Sequence, residues 1–320
     1  MAIDFFKREE QQVRFLAVEK LNIIYNLLTT LLIIVFFNRL HDPQGMLMGR
    51  FVIAFATFAV IYLYTKLPCK AMRFLRLVAQ VALLSYWYPD TFEFNRIFPN
   101  LDHVFAAMDM NLFGCQPSLV FDQLCSGILW REAFNMGYWL YYPMIITVSL
   151  FYFFCRPKEV ERCTFVIMAS FFIFYLIYIF LPVAGPQFYF PVIGDEAVTS
   201  GVYPELGNYF NLHPEISIAQ EGKGAVFTEL VGMAQSAGER PTAAFPSSHI
   251  GVSVILMILS FKASKRLFTL LFPFFVLLCC ATVYIKAHYL VDAVAGLITG
   301  VLVYWLAVWV YGKLHKKQML

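Results

Sequence analysis

An all-helical, polytopic membrane bundle is the fold class this chain predicts, and three observations lead to it. Hydrophobic residues fill 60% of the 320 positions and charged residues only 14%, where an ordinary soluble domain holds roughly 25% charged residues. Aromatic residues reach 18%, with 34 Phe and 18 Tyr, more apolar surface than one soluble core can bury, so the surplus has to face lipid. Apolar runs near the length of a bilayer crossing, about 20 residues with a usable range of roughly 17–25, recur along the whole chain.

The first segment, 1–20, holds Lys7, Arg8, Glu9, Glu10, Arg14 and Lys20. A secretory leader would instead be an uninterrupted apolar run behind a basic start. The segment reads as an amphipathic helix at the cytoplasmic surface. Eight candidate spans follow: Leu21–Asn38, Phe51–Leu67, Phe74–Tyr88, Gly137–Cys155, Cys163–Pro182, Ala243–Phe261, Leu267–Ile285 and Leu290–Tyr311. The third is short and interrupted by Arg76, and the sixth is short too. Two additional spans over 21–67 thus precede a six-helix membrane domain over 68–312, which carries the candidate chemistry. A basic tail, 313–320, ends the chain.

Lys and Arg concentrate in cytoplasmic loops. With both termini inside, seventeen of the 24 Lys and Arg residues fall in inner segments and seven in outer ones, although the outer loops are much longer. That division supports the even span count and the orientation. The two long outer loops, 89–136 and 183–242, are rich in Pro, Gly, Asn and acidic groups and retain aromatics. Loops of this length often act as lids or binding segments. Two of the seven cysteines, Cys115 and Cys125, fall in an outer loop, where an oxidising face would allow a disulfide. The other five read as apolar filler.

Two histidines stand out at one predicted membrane face. His249 ends the run Ala244-Phe245-Pro246-Ser247-Ser248-His249, where an outer loop enters the sixth span. His288 lies in the outer turn between the seventh and eighth spans, four residues before Asp292. That spacing puts the two side chains on one helix face, so the carboxylate can hold one imidazole nitrogen and raise the basicity of the other. His249 is then free to act as a general acid, since imidazole titrates near neutral pH. Ser247 and Ser248 open a helix whose N-terminus is suited to an anion, and Arg240 adds a group able to bind phosphate bidentately. Lys286, beside His288, is a second candidate cation. Singly, each feature has a plain structural explanation: a helix cap, an interfacial histidine, a solvated charge. Together they point to catalysis on a phosphate, with His288, His249 and Asp292 as catalytic residues and Arg240, Ser247, Ser248 and Lys286 as phosphate ligands.

Phe-Pro-Ser-Ser-His at 245–249, followed by His288-Tyr289-x-x-Asp292, resembles the signature of the type 2 phosphatidic acid phosphatase superfamily over roughly 182–300. The resemblance implies a six-helix phosphatase-like core with His288 as the nucleophile that takes up the phosphoryl group, oriented by Asp292. It implies that His249 protonates the leaving oxygen and later activates the acceptor, with no metal or organic cofactor. The chain also departs from the common phosphatase pattern. Position 233, seven before Arg240-Pro241, is Met, and the nearest upstream lysine is Lys223; Ala281 and Thr282 stand where the pattern has Ser-Arg. Thr282-x-Tyr284-x-x-x-His288-Tyr289-x-Val291-Asp292 and Ala244-Phe245-Pro246-Ser247-x-His249-x-Gly251 look more like the inositol phosphorylceramide synthase branch. Leu181-Pro182-Val183-Ala184-Gly185-Pro186-Gln187-Phe188-Tyr189 fills the place of that branch's Pro- and aromatic-rich turn.

The resemblance therefore implies a phosphatidylinositol-like donor and a ceramide-like acceptor, handled at the periplasmic or luminal face. The alternative is a lipid phosphate phosphatase, in which water replaces the acceptor. A transporter is the third reading, but such proteins carry paired, interrupted spans in corresponding halves. No internal symmetry of that kind is visible here, and nothing in the sequence suggests a nucleic-acid partner.

Overall fold

The computed structural model of the protein describes residues 5–9, 14–95, 97–213 and 225–316. It is all-helical in these residues apart from one isolated bridge between Arg8 and Cys69, as the composition predicts. Five helices are long and apolar enough to cross a membrane: α1 (Ala17–Val35), α2 (Pro43–Lys66), α9 (Val160–Phe180), α15 (Lys265–Tyr284) and α16, which runs Leu290–Lys316 and is apolar over Leu290–Leu314. A bent pair, α7 (Ile128–Trp139) and α8 (Tyr141–Cys155), turns by 41° at its break and makes a sixth crossing if counted as one span. The remaining elements are α3 (Lys70–Ala82), α4 (Leu84–Asn95), α5 (Asp102–Phe113), α6 (Pro117–Leu124), α10 (Pro186–Ile193), α11 (Asp195–Ser200), α12 (Tyr209–Leu212), α13 (Val226–Gly238) and α14 (Ser248–Ala263).

The chain is an integral membrane bundle, with fewer full-length crossings among the described residues than the eight expected. The expected third span breaks at Leu83 into α3 and α4. Each half buries ionisable groups that need partners from neighbours rather than lipid: Arg76 in α3 pairs with Glu19, its guanidinium nitrogens 2.7 and 2.6 Å from the carboxylate oxygens. Asp90 in α4 receives both terminal nitrogens of Arg50 at 2.6 and 2.5 Å. The expected sixth span begins as a helix only at Ser248, because Ala243–Ser247 is non-helical. Its 16 residues reach about 24 Å at 1.5 Å per residue, short of the roughly 30 Å bilayer core. The N-terminal amphipathic helix is not seen in residues 6–9, where Glu9 N–H donates to the Pro68 carbonyl; regular helix starts at Ala17, and 1–4 and 10–13 lie outside the described residues.

The centre of the bundle is α9, with 78% of its apolar window buried. It packs against α1, α4, α8, α14 and α16. Stacking of Tyr25 on Phe172 at 4.1 Å, with Trp87 edge-on to Tyr25, ties the first helix into this core. Against α9, α14 and α16 approach closely enough that side chains at their contact would collide. A β-carbon on Gly300 would lie 2.6 Å from the Gly251 carbonyl oxygen, and one on Gly296 would lie 2.7 Å from that of Ser247. Small residues four apart permit this kind of backbone approach between membrane helices.

Within the described residues, the two long loops are largely helical. They fold into the short helices α5 and α6 on one side and α10 to α13 on the other, forming a cap with its own apolar cluster. Phe105, Val183, Phe188, Tyr189 and Phe210 pack there around Ala244, Tyr289 and Val291. The cap is thereby built onto the segments that flank both histidines. Cys115 and Cys125 are free thiols. Helix α6 lies between them, and its eight residues span about 12 Å, beyond the separation of roughly 4.4–6.8 Å between α-carbons that a disulfide allows. Gly300→Val should force α14 and α16 apart, lowering the melting temperature in detergent and cutting turnover by more than about tenfold. Gly312→Val, where an added β-carbon meets nothing within 4 Å, should leave both near wild type.

Candidate active site

Helix α14 opens at Ser247, whose hydroxyl caps Ile250 N–H at 3.4 Å. Ser247 N–H donates to the main-chain carbonyl of Asp292 at 3.1 Å, fixing the start of α14 against the first turn of α16. Tyr178 of α9 completes the seat: its hydroxyl donates to the Pro246 carbonyl and accepts from Ser248 N–H, both at 2.9 Å. The preceding Ala243 takes a positive φ of 70°, which turns the chain so that Ala244 N–H reaches the Val183 carbonyl at 2.9 Å.

His288 sits in the turn between α15 and α16 and is 3% exposed. Its main-chain N–H donates to the Thr282 carbonyl at 3.0 Å, and its Nδ1 lies 2.8 Å from the Ala244 carbonyl oxygen. A carbonyl can only accept, so Nδ1 carries the proton and Nε2 keeps its lone pair. Burial pushes the imidazole down to about 4, with the Ala244 carbonyl opposing this. The ring is therefore neutral near pH 7.

Asp292 is not the direct partner that its spacing predicts. Its Oδ2 lies 3.8 Å from His288 Nδ1, beyond hydrogen-bond length, and accepts from Tyr289 N–H at 2.9 Å. Oδ1 is buried with no partner among the described residues. The Ala244 carbonyl has taken the orienting position.

The two imidazoles meet. Their ring centroids are 5.8 Å apart at 66°. His249 is flanked by Tyr138 and Tyr141, each with centroids 4.7 Å away, and its Nδ1 has no partner among the described residues. The proposed phosphate ligands divide. Ser247 and Ser248 lie at the α14 N-terminus beside His249, and Arg240 is exposed on the segment leading to them. Lys286 is engaged elsewhere, its ammonium 3.1 Å from Asp122, and Lys223 lies outside the described residues. Among the described residues no cluster of three or more His, Cys, Asp or Glu is disposed to hold a metal ion.

A family model of the PAP2 superfamily matches residues 124–306, a stretch that holds both imidazoles and Asp292. The chain belongs to the PAP2 superfamily. That membership fits a lipid phosphatase or phosphotransferase. No curated protein and no solved structure matches the chain.

Two carboxylates that hold the PAP2 motifs in place lie before the matched stretch, on α5, and are not evident from the sequence. Asp102 accepts from the N–H groups of Ala184 and Gly185 at 2.6 and 2.8 Å, from the Asn100 amide at 2.6 Å and from the Tyr289 hydroxyl at 2.9 Å. Asp109 accepts from the N–H groups of Leu290 and Val291 at 2.9 and 3.0 Å. Burial raises both carboxyl groups above their usual range, against these hydrogen bonds. Asp109 thereby occupies the N-terminal N–H groups of α16. A heptad spacing of two aspartates on a short loop helix was the available signal, and it is weak. Asp102→Ala strands buried N–H groups at about 1–3 kcal/mol each, so it should lower the melting temperature in detergent and abolish turnover. Asp109→Asn, which keeps a capping side chain, should cost less than about tenfold in rate.

Proposed function

We propose that the protein is a lipid phosphotransferase that works through a phosphohistidine on His288, moving a phosphoinositol-type head group from a glycerophospholipid to a ceramide-type acceptor. The observation that carries this reading is the His288 hydrogen bond to the Ala244 carbonyl. It holds the proton on Nδ1 and so leaves the Nε2 lone pair for attack, while burial keeps the ring neutral in spite of the bond.

In the first half-reaction His288 Nε2 attacks phosphorus and the bond to the diacylglycerol oxygen breaks. His249, which has to be protonated for this step, gives its proton to that oxygen as it leaves. In the second half-reaction the acceptor hydroxyl attacks phosphorus, His249 takes its proton, and the P–N bond breaks to restore His288. Little covalent chemistry is asked of the protein beyond positioning and charge stabilisation of the phosphoryl oxygens. The hydroxyls of Ser247 and Ser248 supply part of that stabilisation, since their N–H groups are taken by Asp292 and Tyr178. Arg240 is the cation assigned to the phosphate, because Lys286 is committed to Asp122. Asp292 acts on His288 at 3.8 Å through its field, favouring the positive charge that develops on the ring.

Transfer is preferred to hydrolysis on two grounds. The helical cap packs directly against the residues that flank His288, which favours exclusion of water. An apolar groove of about 480 Å³, lined by Val120, Phe121, Leu124, Val283 and Val294, also takes in Ile250 and Leu290, which are one and two residues from His249 and His288 in the chain, and it suits a lipid chain. The distribution of Lys and Arg supports a cytoplasmic N-terminus and C-terminus, with the site at the periplasmic or luminal face.

The decisive assay supplies purified protein in detergent with a labelled phosphatidylinositol, with and without ceramide. Diacylglycerol release that depends on ceramide is the expected result. Release of free phosphate from phosphatidic acid without an acceptor would make the protein a phosphatase instead. His288→Ala should abolish turnover, and His249→Ala should slow it by about 100-fold or more, in the range for loss of a general acid–base group. Normal turnover in His288→Ala would exclude the nucleophile assignment.

A further inference from the structure

A polar cluster that the two half-reactions leave unused joins the buried Gln187 and Gln235 to the half-buried Glu239. Glu239, at the C-terminal end of α13, places Oε1 3.0 Å from the Gln187 amide nitrogen. The Gln235 amide nitrogen lies 3.2 Å from Gln187 Oε1, and its side chain also bonds Glu239. Both glutamines are 6% exposed. The second carboxyl oxygen, Oε2, is buried with no partner among the described residues. Burial pushes the carboxyl up to about 7 in spite of the two amides.

Two links tie the cluster to the reacting groups. Gln187 N–H donates at 2.8 Å to the carbonyl of Lys286, two residues before His288. On the other side, Glu239 is the leading electrostatic neighbour of the Tyr138 hydroxyl, and the Tyr138 ring stacks on His249 at 4.7 Å. The cluster is thereby tied to the segment before His288 through Lys286 and to the ring beside His249 through Tyr138.

A buried carboxyl with one open oxygen is costly to keep unless something completes it. Its residue neighbour Arg240 is exposed, and the partners it does have are amides. Amides and a carboxyl present donors and acceptors together, which matches a ligand rich in hydroxyl groups. They do not match a second phosphate, which the carboxylate would repel. On the phosphotransfer reading, the group left on His288 after diacylglycerol departs is the phosphate with its head group attached, so the head group has to rest beside the imidazoles between the two half-reactions. We propose that Glu239, held by Gln187 and Gln235, is a specificity-determining residue that binds the hydroxyls of a polyhydroxylated head group and so selects the donor lipid. This rests on the phosphotransfer reading and adds the residue that chooses among donors.

The test uses the full-length protein in mixed micelles with phosphatidylinositol, phosphatidic acid and phosphatidylethanolamine as separate donors, each with ceramide. The readout is the ratio of kcat/KM values between donors. Glu239→Gln should lower the preference for phosphatidylinositol over the other two by about tenfold to a hundredfold, as for loss of a hydrogen bond to a charged group, chiefly through KM. Gln187→Ala should move the ratio in the same direction. Free inositol should inhibit the wild-type protein competitively against phosphatidylinositol, a measurement that needs no variant. An unchanged donor ratio in a folded Glu239→Gln protein overturns the proposal. So does a wild-type preference for the ammonium head group that this variant removes, or failure of inositol to compete. A wild-type protein that releases no diacylglycerol from any donor defeats the phosphotransfer reading itself, which separates the two failures.

Discussion

The hydrogen bond from His288 Nδ1–H to the Ala244 carbonyl, 2.8 Å long, joins the two halves of the site, and much of the surrounding structure serves to hold its ends. On the acceptor side, Ala244 is tied to Val183, and Asp102 in turn grips Ala184 and Gly185. On the donor side, Asp102 also takes the hydroxyl of Tyr289, and Asp109 takes the first N–H groups of α16. One helix of the cap, α5, thus clamps both partners of the bond from outside the bundle. From within the bundle, Tyr178 of α9 and the close approach of α14 to α16 at Gly251, Gly296 and Gly300 place His249 alongside. The site is over-determined, and such redundancy keeps a reactive imidazole in one rotamer.

Away from the site, the flank built by α1 to α4 is held by two buried ion pairs, Glu19 with Arg76 and Asp90 with Arg50. An unpaired charge inside a membrane bundle is expensive, and removing one member of a buried pair typically costs about 3–5 kcal/mol. Pairing explains how α3 and α4 tolerate charges in a region that hydropathy reads as one span. Glu19 also accepts from Leu16 N–H at 2.8 Å, so the same carboxylate starts α1 and anchors α3. The bends and breaks of the bundle follow from satisfying these groups.

How much was legible in the sequence varies with the kind of signal. The helical membrane class followed from composition, and the meeting of His249 and His288 from motif placement at the ends of apolar runs. Span length was less readable, because α14 is buried among other helices and need not reach both membrane faces. The cap was hidden for a different reason: its helices are short and their apolar positions are satisfied by one another, with little periodicity to detect. The orienting partner of His288 is a main-chain carbonyl, and no side-chain pattern announces that. Asp102, Asp109 and Glu239 each act singly from a loop helix, so only the fold reveals what they touch. Lys286 stands two residues before His288 in sequence, yet its φ of 64° belongs to a turn from which its side chain reaches Asp122.

The account turns on which nitrogen is free to react. Wild-type protein mixed with phosphatidylinositol, without acceptor, can be quenched and digested, and the modified peptide examined by mass spectrometry and phosphorus NMR. Substitution on Nε2 of His288 is the result this structure requires, because Nδ1 is committed to the Ala244 carbonyl. A phosphoryl group on Nδ1, on His249, or on no histidine at all would contradict it.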